Sequence, residues 1–267
     1  MDFLSVLLLF GAGCLAGFLA GFFGVGGGII LVPILIAYFQ AHGVSSLIGT
    51  HLAFGTSLLV VIFASLASSY RYWHDGHVLW KPVVLMGVAS VAGALVGSGV
   101  AAGLEGSSLR KIFAGVVLLA SLRLLNEPRR STKEAAPNLG AAGLIVTGLI
   151  VGVISSLAGV GGGLFSIPIM YTVLHFPLKK ALGTSSATIV ITATAAAAGY
   201  IMRGWGNILL PPGTLGFVDY IHAIPVIVGT IPFSTLGATM ANRTKPESLK
   251  KIYAVFLLVI AVRMFFF

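Results

Sequence analysis

Two copies of one glycine-rich pentapeptide carry the clearest chemical signal in this chain. The sequence Gly-Val-Gly-Gly-Gly at residues 24–28 recurs at residues 159–163, and each copy is followed at the same distance by Pro33 or Pro168. Successive glycine N–H groups can form a concave nest for an anion, and a helix that begins there adds the positive end of its dipole. The two runs therefore predict an anion site that needs no charged side chain.

Side chains in the neighbouring apolar segments are candidates for further hydrogen bonds to the anion. The pairs Gly49-Thr50 and Gly183-Thr184 start equivalent segments of the two copies, and the His51 imidazole can be protonated near neutral pH. Such hydroxyls can equally bond back to their own helix, and a histidine can be an ordinary packing residue. The predicted substrate-binding set is Gly24, Gly26, Gly27, Gly28, Thr50, His51, Gly159, Gly161, Gly162, Gly163, Thr184, Ser185 and Ser186.

The elements that carry these residues are predicted to be membrane helices. The chain is 57% hydrophobic and only 9% charged, with a mean hydropathy of +1.04, whereas a soluble domain carries far more charge. We therefore predict an all-α polytopic membrane protein. The long apolar segments are residues 3–23, 47–69, 82–103, 109–125, 139–157, 181–202, 220–240 and 249–267, and shorter runs at 29–39 and 164–174 follow the glycines.

The sequence indicates that the two halves of the chain arose by duplication of one unit. Beyond the glycine runs, residues 109–114 resemble residues 249–254. We predict a first transmembrane repeat at 1–126, a basic cytoplasmic linker at 127–137 and a second repeat at 138–267, each with four or five transmembrane segments. Transporters are often built from two such repeats with the substrate site between them.

The distribution of basic residues predicts that the repeats are inverted. If the run after each glycine motif merely continues the first span, Lys and Arg divide 8 to 8 between the two sides of the membrane. If it is a fifth crossing, they divide 12 to 4, which defines a cytoplasmic face by the positive-inside rule. The eleven residues 29–39 would extend about 16 Å as a helix, so a tilted or re-entrant passage is an alternative.

Other interpretations of the glycine runs are weaker. A helix break in lipid survives only where protein or a wet cavity satisfies the freed backbone groups, although close helix packing is an alternative use of glycine. The dinucleotide-binding and P-loop motifs both fail, because Ile29 stands where the former needs glycine and no lysine follows either run. Cys14 is the only cysteine, which excludes an internal disulfide and a cysteine-based metal site. We predict no cofactor and no metal.

The seven acidic residues all fall in predicted loops or at the ends of spans. A proton relay through carboxylates normally needs acids within the bilayer, so the sequence predicts none. His51 is the only intramembrane candidate for a coupling proton.

The chain resembles the TauE/SafE sulfite exporter family, also called the toluene sulfonate uptake permease family. The likeness rests on the Gly-Val-Gly-Gly-Gly-x4-Pro phrase in each half and on a Gly-Thr-Ser-like phrase after it, which the first half reads as Gly49-Thr50-His51 and the second as Gly183-Thr184-Ser185. It covers essentially the whole chain. The resemblance implies secondary transport of sulfur-containing anions, including sulfite and sulfonates.

The residues and the resemblance together predict a multi-pass transporter, without enzymatic activity, in the cell inner membrane. It would move a small sulfur-containing anion by alternating access, with the bilayer and a coupling proton as further partners and no nucleic acid. Alternatives are an anion channel with the same cavity, a transporter of a non-sulfur organic anion, an intramembrane hydrolase that pairs His51 with a serine, and a structural or assembly partner without any flux.

Overall fold

The chain folds into a bundle of apolar helices. The computed structural model describes residues 2–125 and 140–245, with the isolated positions 248, 252 and 255 beyond them. In these residues the elements are α1 (Phe3–Phe23), α2 (Gly28–Ala41), α3 (Ser46–His74), α4 (Trp80–Ala102), α5 (Gly106–Leu125), α6 (Ala141–Ala158), α7 (Gly163–Thr172), α8 (Leu178–Gly204), β1 (Thr214–Leu215), β2 (Val218–Asp219) and α9 (Tyr220–Arg243).

The prediction of an all-α polytopic membrane protein is confirmed. In the described part of the chain, six helices (α1, α3, α4, α6, α8 and α9) are long and apolar enough to cross a membrane. The predicted span 3–23 coincides with α1, and the two short runs form α2 and α7. The predicted linker at 127–137 and the predicted span at 249–267 lie outside the described residues, apart from the isolated positions 252 and 255.

One set of helices, α1, α3 and α9, runs in a single direction, because contacting residues advance together along all three. The contacting pairs are Gly13 with Val226, Gly17 with Thr230 and Gly21 with Ser234 for α1 and α9, and Gly55 with Phe217, Ala64 with Ser234 and Asp75 with Asn242 for α3 and α9. We call the end of the bundle where these three helices begin face 1, and the end where α3 and α9 finish face 2.

The other set, α4, α6 and α8, runs from face 2 to face 1. Its members are mutually parallel through the pairs Met86 with Gly148, Ser90 with Gly152 and Gly97 with Val153, and Gly87 with Ile191, Ser90 with Thr192 and Gly99 with Arg203. The opposite direction follows from α3 and α8. Phe217 packs on both Gly55 near the start of α3 and Gly204 at the end of α8, whereas Tyr72 near the end of α3 packs on Gly183 near the start of α8.

Glycines allow the closest of these helix contacts. The first helix of each half packs most extensively on the fourth helix of the other half, α1 on α9 and α6 on α4. Gly13, Gly17 and Gly21 recur every four residues on α1, and a side chain at any of them would collide with the α9 backbone. This is the close approach that small residues permit between membrane helices. It holds the two halves together and leaves the glycine runs at the centre.

Candidate anion site at the paired glycine runs

Each glycine run forms the same turn. Gly24 and Gly159 end α1 and α6 in the left-handed conformation, with φ/ψ of 65°/26° and 65°/25°. Gly27 and Gly162 precede α2 and α7 with φ/ψ of 83°/−10° and 91°/−10°. Residues with a side chain rarely adopt these angles, which explains why glycine occupies these positions. The predicted breaks between helices are therefore present, and the two have matching backbone geometry.

The two runs pack directly on each other. A Cβ added to Gly28 would lie 2.7 Å from the carbonyl oxygen of Gly159, and a Cβ added to Gly163 would lie 2.8 Å from that of Gly24. Every residue of both runs is buried. The glycines that the sequence placed in one site are therefore brought together by the fold.

One pair of side chains marks the point where the runs meet. A Cβ on Gly161 would lie 2.5 Å from Val61 on α3 and 2.9 Å from Ile189 on α8, and a Cβ on Gly26 would lie 2.7 Å and 3.3 Å from the same two residues. Val61 and Ile189 lie near the midpoints of their helices. The paired runs therefore sit about halfway between the two faces.

The short helices α2 and α7 start at this centre and run to opposite faces. Near the end of α2, the Tyr38 ring lies 5.3 Å from that of His222 at the start of α9, which is at face 1. Just beyond α7, Leu174 packs on Gly143 at the start of α6, which is at face 2. The positive N-terminal ends of both helix dipoles therefore converge on the paired glycine runs.

The backbone N–H groups of the two glycine runs are the next feature of the site. Among the described residues, no carbonyl or side-chain oxygen accepts a hydrogen bond from the N–H groups of residues 26–28 or 161–163. Buried N–H groups almost always have a partner, so an unpaired cluster of them favours a ligand. The atoms closest to both runs belong to uncharged residues. The arrangement can therefore stabilise a negative charge without a positively charged side chain.

The fold corrects the alignment of the two halves beyond the glycine runs. The partner of the triplet 183–185 is Gly55-Thr56-Ser57, and not Gly49-Thr50-His51 as the sequence suggested. The Ser57 hydroxyl donates to the Gly159 carbonyl at 3.0 Å, and the Ser185 hydroxyl donates to the Gly24 carbonyl at 3.1 Å. Each serine therefore fastens its own half to the glycine run of the other half.

The threonines of these triplets also make matching contacts across the halves. Thr184 accepts a hydrogen bond from the Leu79 N–H at 3.1 Å, and Thr56 accepts one from the Asp219 N–H at 2.9 Å. Leu79 and Asp219 cap α4 and α9, the fourth helices of the two halves. Each triplet therefore links a glycine run, through its serine, to the N-terminus of α4 or α9, through its threonine.

Thr50 and His51 lie nearer to face 1 than the glycine runs do. Thr50 accepts a hydrogen bond from Arg110 Nε at 3.1 Å, and His51 Nε2 lies 3.0 Å from the Ala101 carbonyl oxygen. The hydrolase interpretation needs this imidazole beside a serine hydroxyl, whereas the bond it makes is to a backbone carbonyl. The structure does not group Thr50 and His51 with the other predicted residues, because they lie almost two helical turns before Thr56 and Ser57.

Three buried serine hydroxyls have no hydrogen-bond partner in the described part of the chain. They belong to Ser65, Ser155 and Ser186. Ser65 is fully buried, and its Oγ would lie 3.3 Å from a Cβ on Gly26. Of the hydroxyls predicted from the sequence, only Ser186 therefore lacks a hydrogen-bond partner among the described residues, since Thr50, Thr184 and Ser185 each bond to the protein. Ser65 was missed because nothing in its local sequence distinguishes it from other helix serines.

Sequence comparisons match the chain to one family over nearly its whole length. The family model described as "Sulfite exporter TauE/SafE" matches residues 9–264. The chain belongs to the TauE/SafE sulfite exporter family. The resemblance to this family, first indicated by the glycine phrases, is therefore confirmed over nearly the full length of the chain.

Curated proteins similar to this TauE/SafE family member are named as membrane transporters. A "Probable membrane transporter protein" of Haemophilus influenzae is 32% identical, covering 98% of this chain and 99% of its own. Similar proteins with the same kind of name come from Methanocaldococcus jannaschii, at 28% identity over 93% and 91% of the two chains, and from Bacillus subtilis, at 26% over 95% of each. No solved structure gives a significant match.

Proposed function

We propose that this membrane transporter of the TauE/SafE family moves a small sulfur-containing anion, such as sulfite, thiosulfate or a sulfonate. The paired glycine runs bind the anion through the backbone N–H groups of residues 26–28 and 161–163. The single observation that carries the proposal is the convergence of two helix N-termini on a buried cluster of unpaired N–H donors. The Ser65 and Ser186 hydroxyls add hydrogen bonds to the anion's oxygen atoms.

The chemistry of the site favours an oxyanion over a cation or a neutral solute. N–H groups and hydroxyls donate to several oxygen atoms at once, and the helix dipoles add positive potential where little water screens it. A sulfonate or sulfite presents three such oxygens around one sulfur atom. The family description names sulfite, which supports a sulfur oxyanion within this class.

The proposed mechanism is alternating access between two inverted repeats. Supporting it, α1, α3 and α4 of the first half each run opposite to α6, α8 and α9, their counterparts in the second half. The cross-half bonds of Ser57 and Ser185 join the two halves at the site itself. Rocking of one half against the other would expose the glycine runs first to one face and then to the other.

The basic residues orient the protein in the cell inner membrane, within the same proposal. Face 2 carries the larger described group, Arg71, Lys81, Lys179, Lys180, Arg243 and Lys245, whereas face 1 carries Arg110, Lys111 and Arg203. By the positive-inside rule, face 2 is cytoplasmic. The helices α2 and α7 extend about 21 Å and 15 Å, so each reaches only from the centre to one face.

The test is anion flux in proteoliposomes. Purified protein is reconstituted, and uptake of labelled thiosulfate, sulfite, ethanesulfonate and acetate is measured with and without the same unlabelled anion inside. A carrier accelerates uptake by counterflow and saturates, whereas a channel shows neither. Saturable counterflow of the sulfur anions and none of acetate is expected. Absence of flux for all four anions would refute the proposed function.

A conservative pair of variants locates the site. Ser65→Ala removes a hydroxyl without a hydrogen-bond partner among the described residues, whereas Ser68→Ala, one turn further along α3, removes one whose described bonds all lie within its own helix. Loss of a hydrogen bond to an anion is worth about 1.5–3 kcal/mol, or a KM increase of about tenfold or more. That increase is expected for Ser65→Ala alone. Equal KM values in the two variants would remove Ser65 from the site.

A further inference from the structure

A buried carboxylate and an imidazole form a close pair at the start of α9. The ring atom His222 Nδ1 lies 2.6 Å from Asp219 Oδ2, and the backbone N–H of His222 donates to Asp219 Oδ1 at 3.0 Å. Asp219 is only 1% exposed. The sequence had placed this aspartate at the end of a span, outside any proton relay, but the β1–β2 hairpin carries it into the protein. The structure therefore supplies a buried acid that the sequence did not predict.

Helix capping accounts for the bond to Asp219 Oδ1 but not for the contact between Asp219 Oδ2 and the His222 imidazole. At the equivalent position of the first half, Leu79 caps α4 without any side-chain hydrogen bond, and its N–H is held by Thr184 just as the Asp219 N–H is held by Thr56. The equivalent helix of the first half therefore begins without a carboxylate. Pro82 stands in the first half where the second has His222. The second half therefore carries both members of a titratable pair at positions where the first half has Leu79 and Pro82.

The pair is linked to the proposed anion site through two neighbouring residues of α3. The Asp219 N–H donates to Thr56 at 2.9 Å, and the next residue, Ser57, donates to the Gly159 carbonyl at 3.0 Å. Thr56 lies ten residues into α3, which is about 15 Å from the start of that helix. A change of charge at Asp219 therefore acts one residue away from the contact that fastens the second glycine run.

The other titratable or charged groups around the pair are few. Those on the described elements packed around it are Tyr38 and His42 on or next to α2, His51 on α3, Tyr200 and Arg203 on α8 and Tyr220 on α9. The ring centroids of Tyr38 and His222 are 5.3 Å apart. The ring centroid of His51 is 5.2 Å from that of Phe217, which lies two residues before Asp219. Arg203 is exposed and packs on Gly99. None of these residues is hydrogen-bonded to the Asp219 carboxylate among the described contacts, so His222 is its titratable partner.

We propose that the Asp219–His222 pair is the proton-binding site that couples anion transport to the proton gradient. The inference rests on the proposed function. With the carboxylate ionised and the imidazole neutral, the pair carries one negative charge, which repels an anion at the adjacent glycine runs. One proton taken from the aqueous phase at face 1 makes the pair neutral. The proton and the anion therefore favour each other's binding, travel together and leave together at face 2.

The experiment measures proton movement and anion exchange in the same proteoliposomes. Thiosulfate and ethanesulfonate are the probes, since both stay fully ionised over the pH range used, so any pH effect belongs to the protein. Internal pyranine reports protons, and counterflow of labelled thiosulfate at equal pH reports exchange. The variant is Asp219→Asn, because asparagine still caps a helix. The control is Glu105→Gln, an exposed acid near the same face.

The wild type and Glu105→Gln are expected to acidify the lumen when thiosulfate is added outside, and to accelerate uptake several-fold with an inward proton gradient. Asp219→Asn is expected to keep thiosulfate counterflow while it loses both responses. Proton movement retained in Asp219→Asn would overturn the inference, and so would wild-type thiosulfate flux without proton movement. In both of those cases the proposed function stands. A wild type that transports neither probe in any mode would overturn the proposed function and the coupling site with it.

Discussion

Substituting alanine for Gly161 tests how tightly the glycine runs meet. Gly161 has φ of 83°, and the new Cβ would lie 2.5 Å from Val61 and 2.9 Å from Ile189. The left-handed backbone costs about 1–2 kcal/mol for a residue with a side chain, and forcing an extra methyl into a packed core costs about 1–3 kcal/mol. The expected loss in the free energy of unfolding is therefore about 2–5 kcal/mol.

Gly43→Ala provides the matched control. Gly43 has φ of 77°, but a Cβ there would meet nothing within 4 Å. This variant should lose only the backbone contribution of about 1–2 kcal/mol. The difference between the two variants isolates the steric overlap at the centre of the bundle.

The assay is reversible unfolding in mixed micelles, run as a double-mutant cycle with Val61→Ala. The coupling free energy between Val61→Ala and Gly161→Ala should be about 1–3 kcal/mol, because removing the Val61 methyl groups relieves the overlap. The coupling free energy between Val61→Ala and Gly43→Ala should be zero. Thiosulfate flux at matched protein density is measured alongside. Equal destabilisation by Gly161→Ala and Gly43→Ala, or additivity of Gly161→Ala with Val61→Ala, would refute the described meeting of the two runs.

Two further predictions concern packing and orientation. Gly17→Leu on α1 would force a side chain into the Thr230 backbone, so the yield of correctly folded protein should fall sharply. Gly11→Leu on the same helix is the control, because a Cβ there meets nothing within 4 Å, and it should be tolerated. Size-exclusion chromatography measures the yield of both variants. In a Cys14→Ser background, Ser107→Cys at face 1 should react in intact cells with a membrane-impermeant maleimide, and His74→Cys at face 2 should react only after lysis; the reverse pattern would invert the proposed orientation.

Much of the helical framework could be predicted, because its signals are local. The α1 helix coincides with its predicted span, and each break coincides with a glycine run whose left-handed angles a side chain would oppose. The length of each apolar run is set by the bilayer, so the class of fold follows from composition.

The register of the two halves could not be taken from the glycine runs alone. From Gly28 to the triplet at Gly55 the chain is seven residues longer than from Gly163 to the triplet at Gly183, because both α2 and the start of α3 are extended. An alignment that shifted by only one residue after the glycine runs therefore paired the second triplet with Gly49-Thr50-His51. The identical Gly-Thr-Ser sequences at 55–57 and 183–185 were the signal for the correct alignment. The hydrogen bonds of their serines to the glycine run of the other half show that the two triplets are equivalent.

Ser65 and Asp219 could not have been identified without the fold. Whether a helix serine lacks a partner depends on the elements packed around it, and Ser65 is set apart only by its position against Gly26. Asp219 is buried because the short β1–β2 hairpin packs on Gly55 of a helix in the other half. Both features arise from contacts between residues far apart in the sequence, which local patterns do not encode.

The most direct test of the central claim is anomalous diffraction from crystals grown with 2-bromoethanesulfonate, whose bromine marks the bound anion. We predict one bromine peak at the centre of the bundle, with the sulfonate oxygens within hydrogen-bonding distance of the N–H groups of residues 26–28 and 161–163. The peak should be lost in crystals of the Ser65→Ala variant grown at the same ligand concentration. A sulfonate bound elsewhere, with the glycine N–H groups unpaired, would contradict the account.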